Sequence, residues 1–250
     1  MASQQSTAAT QDNSLPMFYT APRPLDRVRD LDTKLSRPNG FGFARNTNAI
    51  PLLIDEFPAA CVHYPIVFAA GPAPIPTAVV GLKNNENLLV NSKGEWLNGT
   101  YLPAYVRRYP FILMDDPVQQ QFVLCIDEGS GLFGKQGEFP LFENGEPSAF
   151  TKNAVEFCST LRAQGENTDQ FIKALQQHDL LMQNDAQVDL GNGNKIQLSG
   201  FLVINPQKFD ALPDDVVLDW RRRGWLGLIY AHFISSHRWQ GLVNLLHSPT

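Results

Sequence analysis

The order of strand-like and helix-like segments along the chain restricts its fold more than any other feature. Short β-branched runs bounded by proline and glycine, such as 64–69 (YPIVFA) and 77–82 (TAVVGL), indicate buried strands in the first half. From Phe150 onwards, apolar residues recur at helical spacing. We therefore predict an α+β fold in one compact domain, with an antiparallel β-rich N-terminal two-thirds and helices concentrated towards the C-terminus. The alternative is a division into two parts near Gly145.

Several individual elements can be predicted. Helical spacing predicts one helix over 148–161, with Ser148 as its N-cap, and a second helix capped by Thr168. The remaining predictions are strands at 111–114 and 122–127, a hairpin of 186–190 with 195–204, a short helix within 26–35, and helices over 213–223 and 225–246.

No segment of the sequence indicates membrane insertion or secretion. Residues 1–14 lack Lys, Arg and the apolar core of a signal peptide, so we expect a disordered polar tail before a folded domain over 15–250. The longest apolar run, at 225–235, is well short of the ~20 residues that a membrane span needs. We therefore expect a cytoplasmic protein.

Charge and cysteine content argue against several classes of function. The chain carries 20 Lys and Arg against 25 Asp and Glu, a net charge of −5, which disfavours binding to nucleic acid. Its 3 cysteines are widely separated and form no CxxC pair, so neither a disulfide framework nor a zinc site is expected. The 5 histidines show no spacing typical of metal ligands. We predict no metal and no cofactor.

One stretch matches a nucleotide-binding pattern only in its letters. Residues 129–134 (GSGLFG) read G-x-G-x-x-G, but Gly137 and Pro140 follow where a dinucleotide site requires a helix. Asp127 and Glu128 would also place negative charge beside the phosphates. We interpret the stretch as a mobile surface loop. The sequence motifs of serine hydrolases, zinc peptidases and P-loop NTPases do not occur.

Two basic features stand out against the acidic background. The first is an arginine pair among aromatic residues, and it forms the predicted contact patch: Trp96, Tyr101, Tyr105, Arg107, Arg108 and Tyr109. The second is the arginine run 221–223 before Trp225. Arginine beside tyrosine or tryptophan suits the recognition of carboxylates and phosphates, or a protein interface. The alternative is that these arginines pair within the molecule with the acidic residues of 115–146.

Long and compositionally unusual runs resemble the SapC-like family of bacterial proteins. They are FAR, NAIPLLIDEF and YPIVFA within 43–69, VVGLKNNENLLVN at 79–91, and GEWLNGTYLPAYVRRYPF at 94–111. The resemblance covers about 15–250 and does not concern the peptide-transport permease of the same name. It implies a link to surface-layer genes, and partners such as halogenase-like proteins, cupin-like oxygenase-like proteins or TonB-dependent receptors. It implies no catalytic residues.

Three hypotheses of function follow. The first is a cytoplasmic, non-enzymatic accessory protein that uses the contact patch, with Asp127, Glu128 and the glycine loop as its rim. It would act with a peptide- or small-molecule-modifying enzyme, or with a surface or outer-membrane transport system. The second is an enzyme in which Asp127 or Glu128 is the acid–base group and Arg107 or Arg108 holds an anionic substrate. The third is a structural part of an envelope assembly. The oligomeric state stays open.

Overall fold

The fold is taken from a computed structural model, which describes residues 15–116, 120–191 and 194–247. The tail predicted at 1–14 and the hairpin tip at 192–193 lie outside these residues.

The described elements comprise short strands, one long hairpin and helices of very different length. The strands are β1 (Pro22–Pro24), β2 (Lys34–Leu35), β3 (Ala49–Pro51), β4 (Ile66–Ala69), β5 (Ile75–Val79), β6 (Phe111–Asp116), β7 (Gln121–Asp127), β8 (Phe133–Gly134), β9 (Phe139–Pro140), β10 (Phe142–Glu143), β11 (Glu146–Pro147), β12 (Leu181–Gly191) and β13 (Asn194–Ile204). The helices are α1 (Phe57–Ala60), α2 (Ala104–Arg107), α3 (Ala149–Gln177), α4 (Pro206–Asp210), α5 (Asp214–Arg222), α6 (Trp225–Ser235) and α7 (Trp239–His247).

The strands form antiparallel sheets. The largest sheet has the strand order β12-β13-β4-β5-β3, and the second has the order β1-β7-β6. There are two small sheets, β8-β2-β9 and β10-β11. Their strands lie between β1 and β3 and between β7 and β12 along the chain. Most of the helical residues lie in the C-terminal part of the chain, in α3 to α7. This arrangement confirms the predicted α+β fold in a single compact domain.

The largest sheet is covered on both faces, which explains its continuous apolar strands. In β4, Ile66 and Phe68 belong to the main core with Phe57 of α1 and Ile229 of α6. Val67 points the other way and packs in a second cluster that includes residues of α7. Because alternate residues of a strand face opposite sides, a strand covered on both sides is apolar throughout.

A single helix, α3, replaces the two helices predicted for this region. The Ser148 hydroxyl accepts a hydrogen bond from the Thr151 N–H at 3.2 Å, as the N-cap prediction requires. Thr168, however, lies inside the helix and caps nothing. Its hydroxyl donates to the Gln164 carbonyl at 2.9 Å and accepts from the Ile54 N–H at 3.1 Å. The prediction of a second helix start was wrong because this threonine satisfies its hydroxyl without ending the helix.

Two further helix predictions need correction. Residues 27–32 form turns and not a helix. The Asp26 carboxylate accepts from the N–H groups of Val28 and Arg29, as a helix N-cap does, and the Asp30 N–H donates to the Asp26 carbonyl at 2.9 Å. The Thr33 N–H then donates to the Asp30 carbonyl at 2.9 Å, which closes a turn instead of extending the helix. The helix predicted over 225–246 is divided by a 3₁₀ turn at Ser236–Arg238. There the Ser235 hydroxyl donates to the His232 carbonyl at 2.6 Å and accepts from a β4 N–H group, so the chain tightens at this point.

Candidate functional site

A segment near the N-terminus, residues 17–25, includes β1 at the edge of the second sheet and is here called the strap. Asp127, at the end of β7, is fully buried and holds it. One carboxylate oxygen accepts from the N–H groups of Thr20 and Ala21 at 3.1 and 2.6 Å. The other accepts from the hydroxyl of Tyr109 at 3.0 Å and, at 3.4 Å, from that of Thr20. These four donors occupy both oxygens of Asp127.

Two tyrosines beside the strap are held as neutral hydroxyls. Burial and the hydrogen bond to Asp127 raise the pKa of Tyr109, whose ring stacks on Phe43 at 4.1 Å. Tyr19, in the strap, donates to the Phe111 carbonyl, and burial raises its pKa although Arg108 opposes the shift. The Tyr19 hydroxyl is therefore a fixed donor that joins the strap to β6, and the Tyr109 hydroxyl is a fixed donor to Asp127 of β7.

A buried carboxylate also positions the arginine pair. Glu56 accepts hydrogen bonds from the N–H groups of Leu53 and Ala104 at 2.8 and 2.7 Å, and from the Tyr101 hydroxyl at 3.0 Å. Burial, together with Glu56, raises the pKa of Tyr101 to about 12. Glu56 thus fixes the start of α2, and Arg107 and Arg108 follow at the end of that helix.

The two arginines are held by aromatic rings and carbonyl groups. The Arg107 guanidinium donates to the Leu102 carbonyl at 3.1 Å and lies 5.4 Å from the centre of the Phe157 ring. The Arg108 guanidinium lies over Tyr105, 3.9 Å from the ring centre. The Nε atom of Arg108 is buried and has no hydrogen-bond partner among the described residues.

Within the described ranges, neither arginine of this pair forms an ion pair with a carboxylate. Other arginines pair with the acidic middle of the chain instead. Arg23 and Arg29 both contact Glu128, at 3.2 and 2.8 Å, and further pairs join Arg27 to Glu146 and Arg37 to Glu138. The positive charge of Arg107 and Arg108 is therefore not balanced by the acidic segment.

Two openings flank the arginine pair. The first, here called the aromatic cavity, has a volume of about 410 Å³ and is lined by both arginines, with Phe111, Phe139, Phe150 and Phe157. The second, here called the groove, has a volume of about 430 Å³ and runs between α3 and the loops before α1 and β5. Arg108 lines both. The groove also contains the carboxylates of Glu56 and Asp169, whereas the described lining of the aromatic cavity contains no acidic residue.

The predicted patch residues do not all meet at these openings. Tyr105 lines the groove and Tyr109 the aromatic cavity, and the two arginines lie between them. Trp96 packs against Phe41, with ring centres 6.0 Å apart, and is absent from the described lining of both openings. Tyr101 contacts Arg107 through its hydroxyl at 3.3 Å.

The residues predicted as a rim have different surroundings. Asp127 is buried under the strap, and Glu128 is exposed and bonded to arginines. In the glycine stretch, Gly131 adopts a left-handed conformation with φ of 69°, and β8 follows it. A single 3₁₀ turn covers Glu128–Ser130, but no α-helix begins within 129–134, so the stretch lacks the helix N-terminus on which a dinucleotide site depends.

Four aromatic residues of the cavity were not predicted as site residues. Phe150 and Phe157 lie seven positions apart on α3 and were interpreted as part of an ordinary apolar helix face. Phe139 stacks on Phe150 with ring centres 5.0 Å apart, and Phe111 meets Phe150 edge to face at 5.9 Å. The available signal was the heptad spacing on α3, but such spacing is equally typical of a buried core.

Neither a metal-binding cluster nor a membrane-spanning helix occurs within the described residues. No group of three or more His, Cys, Asp or Glu side chains is arranged to hold a metal ion there. In the same part of the chain, no helix is both long enough and apolar enough to span a membrane.

The fold and the site together define a class: an α+β protein with an arginine pair between an apolar groove and an aromatic cavity. A family model described as SapC matches residues 25–242 of the 250-residue chain. The chain therefore belongs to the SapC family, as the sequence runs indicated. Comparisons with curated proteins and with solved structures gave no match.

Proposed function

We propose that this member of the SapC family is a non-enzymatic accessory protein that binds an anionic group of a partner through Arg107 and Arg108. One observation carries the proposal. Two adjacent guanidinium groups lie beside open cavities with no carboxylate partner among the described residues, whereas Arg23, Arg27, Arg29 and Arg37 of the N-terminal segment are ion-paired.

The aromatic supports make these arginines suitable for binding a carboxylate. A guanidinium that stacks on a ring interacts through its face and keeps the donors at its edge available. Tyr105 supports Arg108 in this way. Phe157 lies 5.4 Å from the Arg107 guanidinium, whose Nε and one terminal nitrogen already donate to Leu102 and Tyr101, so the other terminal nitrogen carries the donors left for a ligand. A side chain that is already oriented loses less conformational entropy when it binds, so more of the hydrogen-bond energy contributes to affinity.

The family resemblance supplies the expected setting. The protein would act in the cytoplasm beside a peptide- or small-molecule-modifying enzyme, or with a surface or outer-membrane transport system. A halogenase-like protein, a cupin-like oxygenase-like protein or a TonB-dependent receptor is the partner that this resemblance favours.

The test is affinity purification of the tagged chain from its native cell after mild crosslinking, with partners identified by mass spectrometry. Arg107→Ala with Arg108→Ala should reduce partner recovery at least tenfold. Arg221→Ala with Arg222→Ala is the matched control, because it removes an adjacent pair of exposed arginines on α5. Thermal unfolding must show that both variants remain folded.

Recovery that is equal for the folded double variant and the wild type would refute the proposed site. Recovery lost only in the control would move the site to α5. If the chain instead sediments with membranes in a stoichiometric envelope complex that the arginine changes leave intact, the structural hypothesis replaces the accessory role.

The acid–base alternative has no comparable support. Both oxygens of Asp127 accept hydrogen bonds from the protein, and the side chain is fully buried under the strap. Glu128 is bonded to Arg23 and Arg29. A general base must reach the proton that it removes, and these surroundings give Asp127 a structural task instead.

A further inference from the structure

We infer that the aromatic cavity is a binding site for an aromatic carboxylate, with the ring among the phenylalanines and the carboxylate against Arg107 and Arg108. This inference rests on the proposed binding role of the two arginines and names the chemistry of the ligand. The same chemistry has two sources: a free aromatic acid, or a peptide that ends in an aromatic residue.

The walls of the cavity are suited to a flat apolar group. Four phenylalanines come from different parts of the chain: Phe111 from β6, Phe139 from β9, and Phe150 and Phe157 from α3. Phe139 and Phe150 are stacked, while Phe111 and Phe150 meet edge to face. Aromatic groups prefer these same stacked and edge-to-face arrangements, so a further ring can add to the existing set.

The charge of the cavity selects an anion. Arg107 and Arg108 contribute two positive charges to the lining, and the lining residues described include no Asp or Glu. The buried Nε of Arg108 is a donor without a partner, and a buried donor of this kind is costly unless it is satisfied. A bound carboxylate can accept from guanidinium donors in a bidentate manner.

The groove on the other side of Arg108 is a weaker candidate for the same anion. It contains the carboxylates of Glu56 and Asp169, which would repel a second negative group. Glu56 already accepts three hydrogen bonds, so it has no need of a bound cation either. The anion is therefore expected on the aromatic side.

The cavity suits reversible binding of a ligand, because the cysteine in its lining is a poor nucleophile for covalent attachment. Cys158 lies in its lining, but burial raises the pKa of this thiol to about 11. A neutral thiol is a poor nucleophile. The volume, about 410 Å³, falls within the roughly 300–1,000 Å³ typical of small-molecule sites.

The test measures binding of defined probes to the full chain by ligand-detected NMR titration. 3-Phenylpropionate should bind saturably, while 3-phenylpropionamide, which lacks the charge, and propionate, which lacks the ring, should each bind about tenfold more weakly or worse. N-acetyl-Ala-Ala-Phe with a free carboxylate is the peptide probe. A clear preference for this peptide over 3-phenylpropionate identifies a peptide terminus as the source, and the opposite preference identifies a free acid.

A matched pair of variants tests whether the probe binds in the aromatic cavity. Ala154 lines the cavity from α3, and Ala154→Leu should fill it and reduce binding of 3-phenylpropionate at least tenfold. Ala163→Leu is the control, because it makes the same change at an exposed position of the same helix. Leucine and alanine are both good helix formers, so neither change should disturb α3 itself. Should Ala154→Leu fail to fold, Arg107→Gln with Arg108→Gln provides the test and should lower affinity by a similar factor.

Four results would overturn the inference. The first is that neither carboxylate probe, 3-phenylpropionate or the peptide, binds saturably. The second and third are that 3-phenylpropionate binds with the same affinity as 3-phenylpropionamide, or with the same affinity as propionate. The fourth is that the folded Ala154→Leu protein binds 3-phenylpropionate as the wild type does. The two proposals fail separately. Partner capture that depends on the arginines but not on Ala154→Leu would leave the accessory role standing without this ligand. Probe binding that Ala154→Leu abolishes, with partner capture unchanged by the arginine substitutions, would leave the ligand site standing without the partner.

Discussion

Replacing Asp127 with alanine tests whether this buried carboxylate is the anchor of the strap. The substitution removes the acceptor for the Thr20 and Ala21 N–H groups and for the Tyr109 hydroxyl. We expect the strap to detach at residues 18–21 while β6 and β7 remain paired. Such a loss of stability would establish a structural role for Asp127.

The size of the effect follows from the geometry. Three of the four hydrogen bonds to Asp127 are 3.1 Å or shorter, and each bond to a charged acceptor contributes about 1.5–3 kcal/mol. Thr20 and Ala21 are exposed residues, so water can satisfy their N–H groups once the carboxylate is gone. We therefore expect the free energy of unfolding to fall by about 3–4 kcal/mol, below the full sum of the three bonds.

The assay combines denaturant unfolding with amide hydrogen exchange. Asp127→Ala should lower the midpoint of unfolding and should speed exchange at Thr20 and Ala21 in particular. Asp32→Ala is the control, because Asp32 is exposed and outside the described ion pairs, and such a change costs about 0.5 kcal/mol at most. A loss below about 1 kcal/mol, with slow exchange retained at both amides, would refute the reasoning and return Asp127 to the list of possible acid–base groups.

Two other predictions concern stability. Burial lowers the pKa of His232 to about 4, and its ordinary value is near 6.5, so the unfolded chain takes up the proton first as the pH falls. The free energy of unfolding should therefore decrease by about 3 kcal/mol between pH 6.5 and 4, and this slope should be absent in a folded His232→Gln variant. Gly165→Ala should raise the stability by about 0.5–1 kcal/mol, because α3 has open space there. Gly81→Ala should lower it, because the new Cβ would collide with the Glu86 carbonyl, and thermal unfolding measures both changes.

Elements that depend mainly on local sequence patterns were predicted correctly. β6 and β7 were predicted from short apolar runs, and the break at Gly224 was predicted between two helices. The structure shows that Gly224 has a positive φ of 75°, which glycine adopts at little cost. Prediction failed where a polar side chain does not cap its own helix but forms hydrogen bonds with other backbone groups. Thr168 binds the Ile54 N–H across the fold, and no local pattern reveals this contact.

The site was only partly predictable for the same reason. The arginine pair and its tyrosines are close together in the sequence, so the sequence alone was enough to propose them as a contact patch. The phenylalanines of the aromatic cavity come from β6, β9 and α3, and their assembly depends on how α3 packs against the second sheet. The ion pairs that leave Arg107 and Arg108 without carboxylates are likewise formed by an N-terminal segment whose position the sequence does not indicate.

The strap has a further consequence for the newly made chain. Its hydrogen bonds to Phe111 and Asp127 join residues that are 92 to 107 positions apart, so residues 17–25 leave the ribosome long before Phe111 and Asp127 do. Contacts of such separation form only after the intervening chain is available. Tyr19 therefore takes its place beside Arg108 only in the later part of synthesis, and α3 follows later still. Fragments that end before α3 should carry both arginines and yet have no complete binding site.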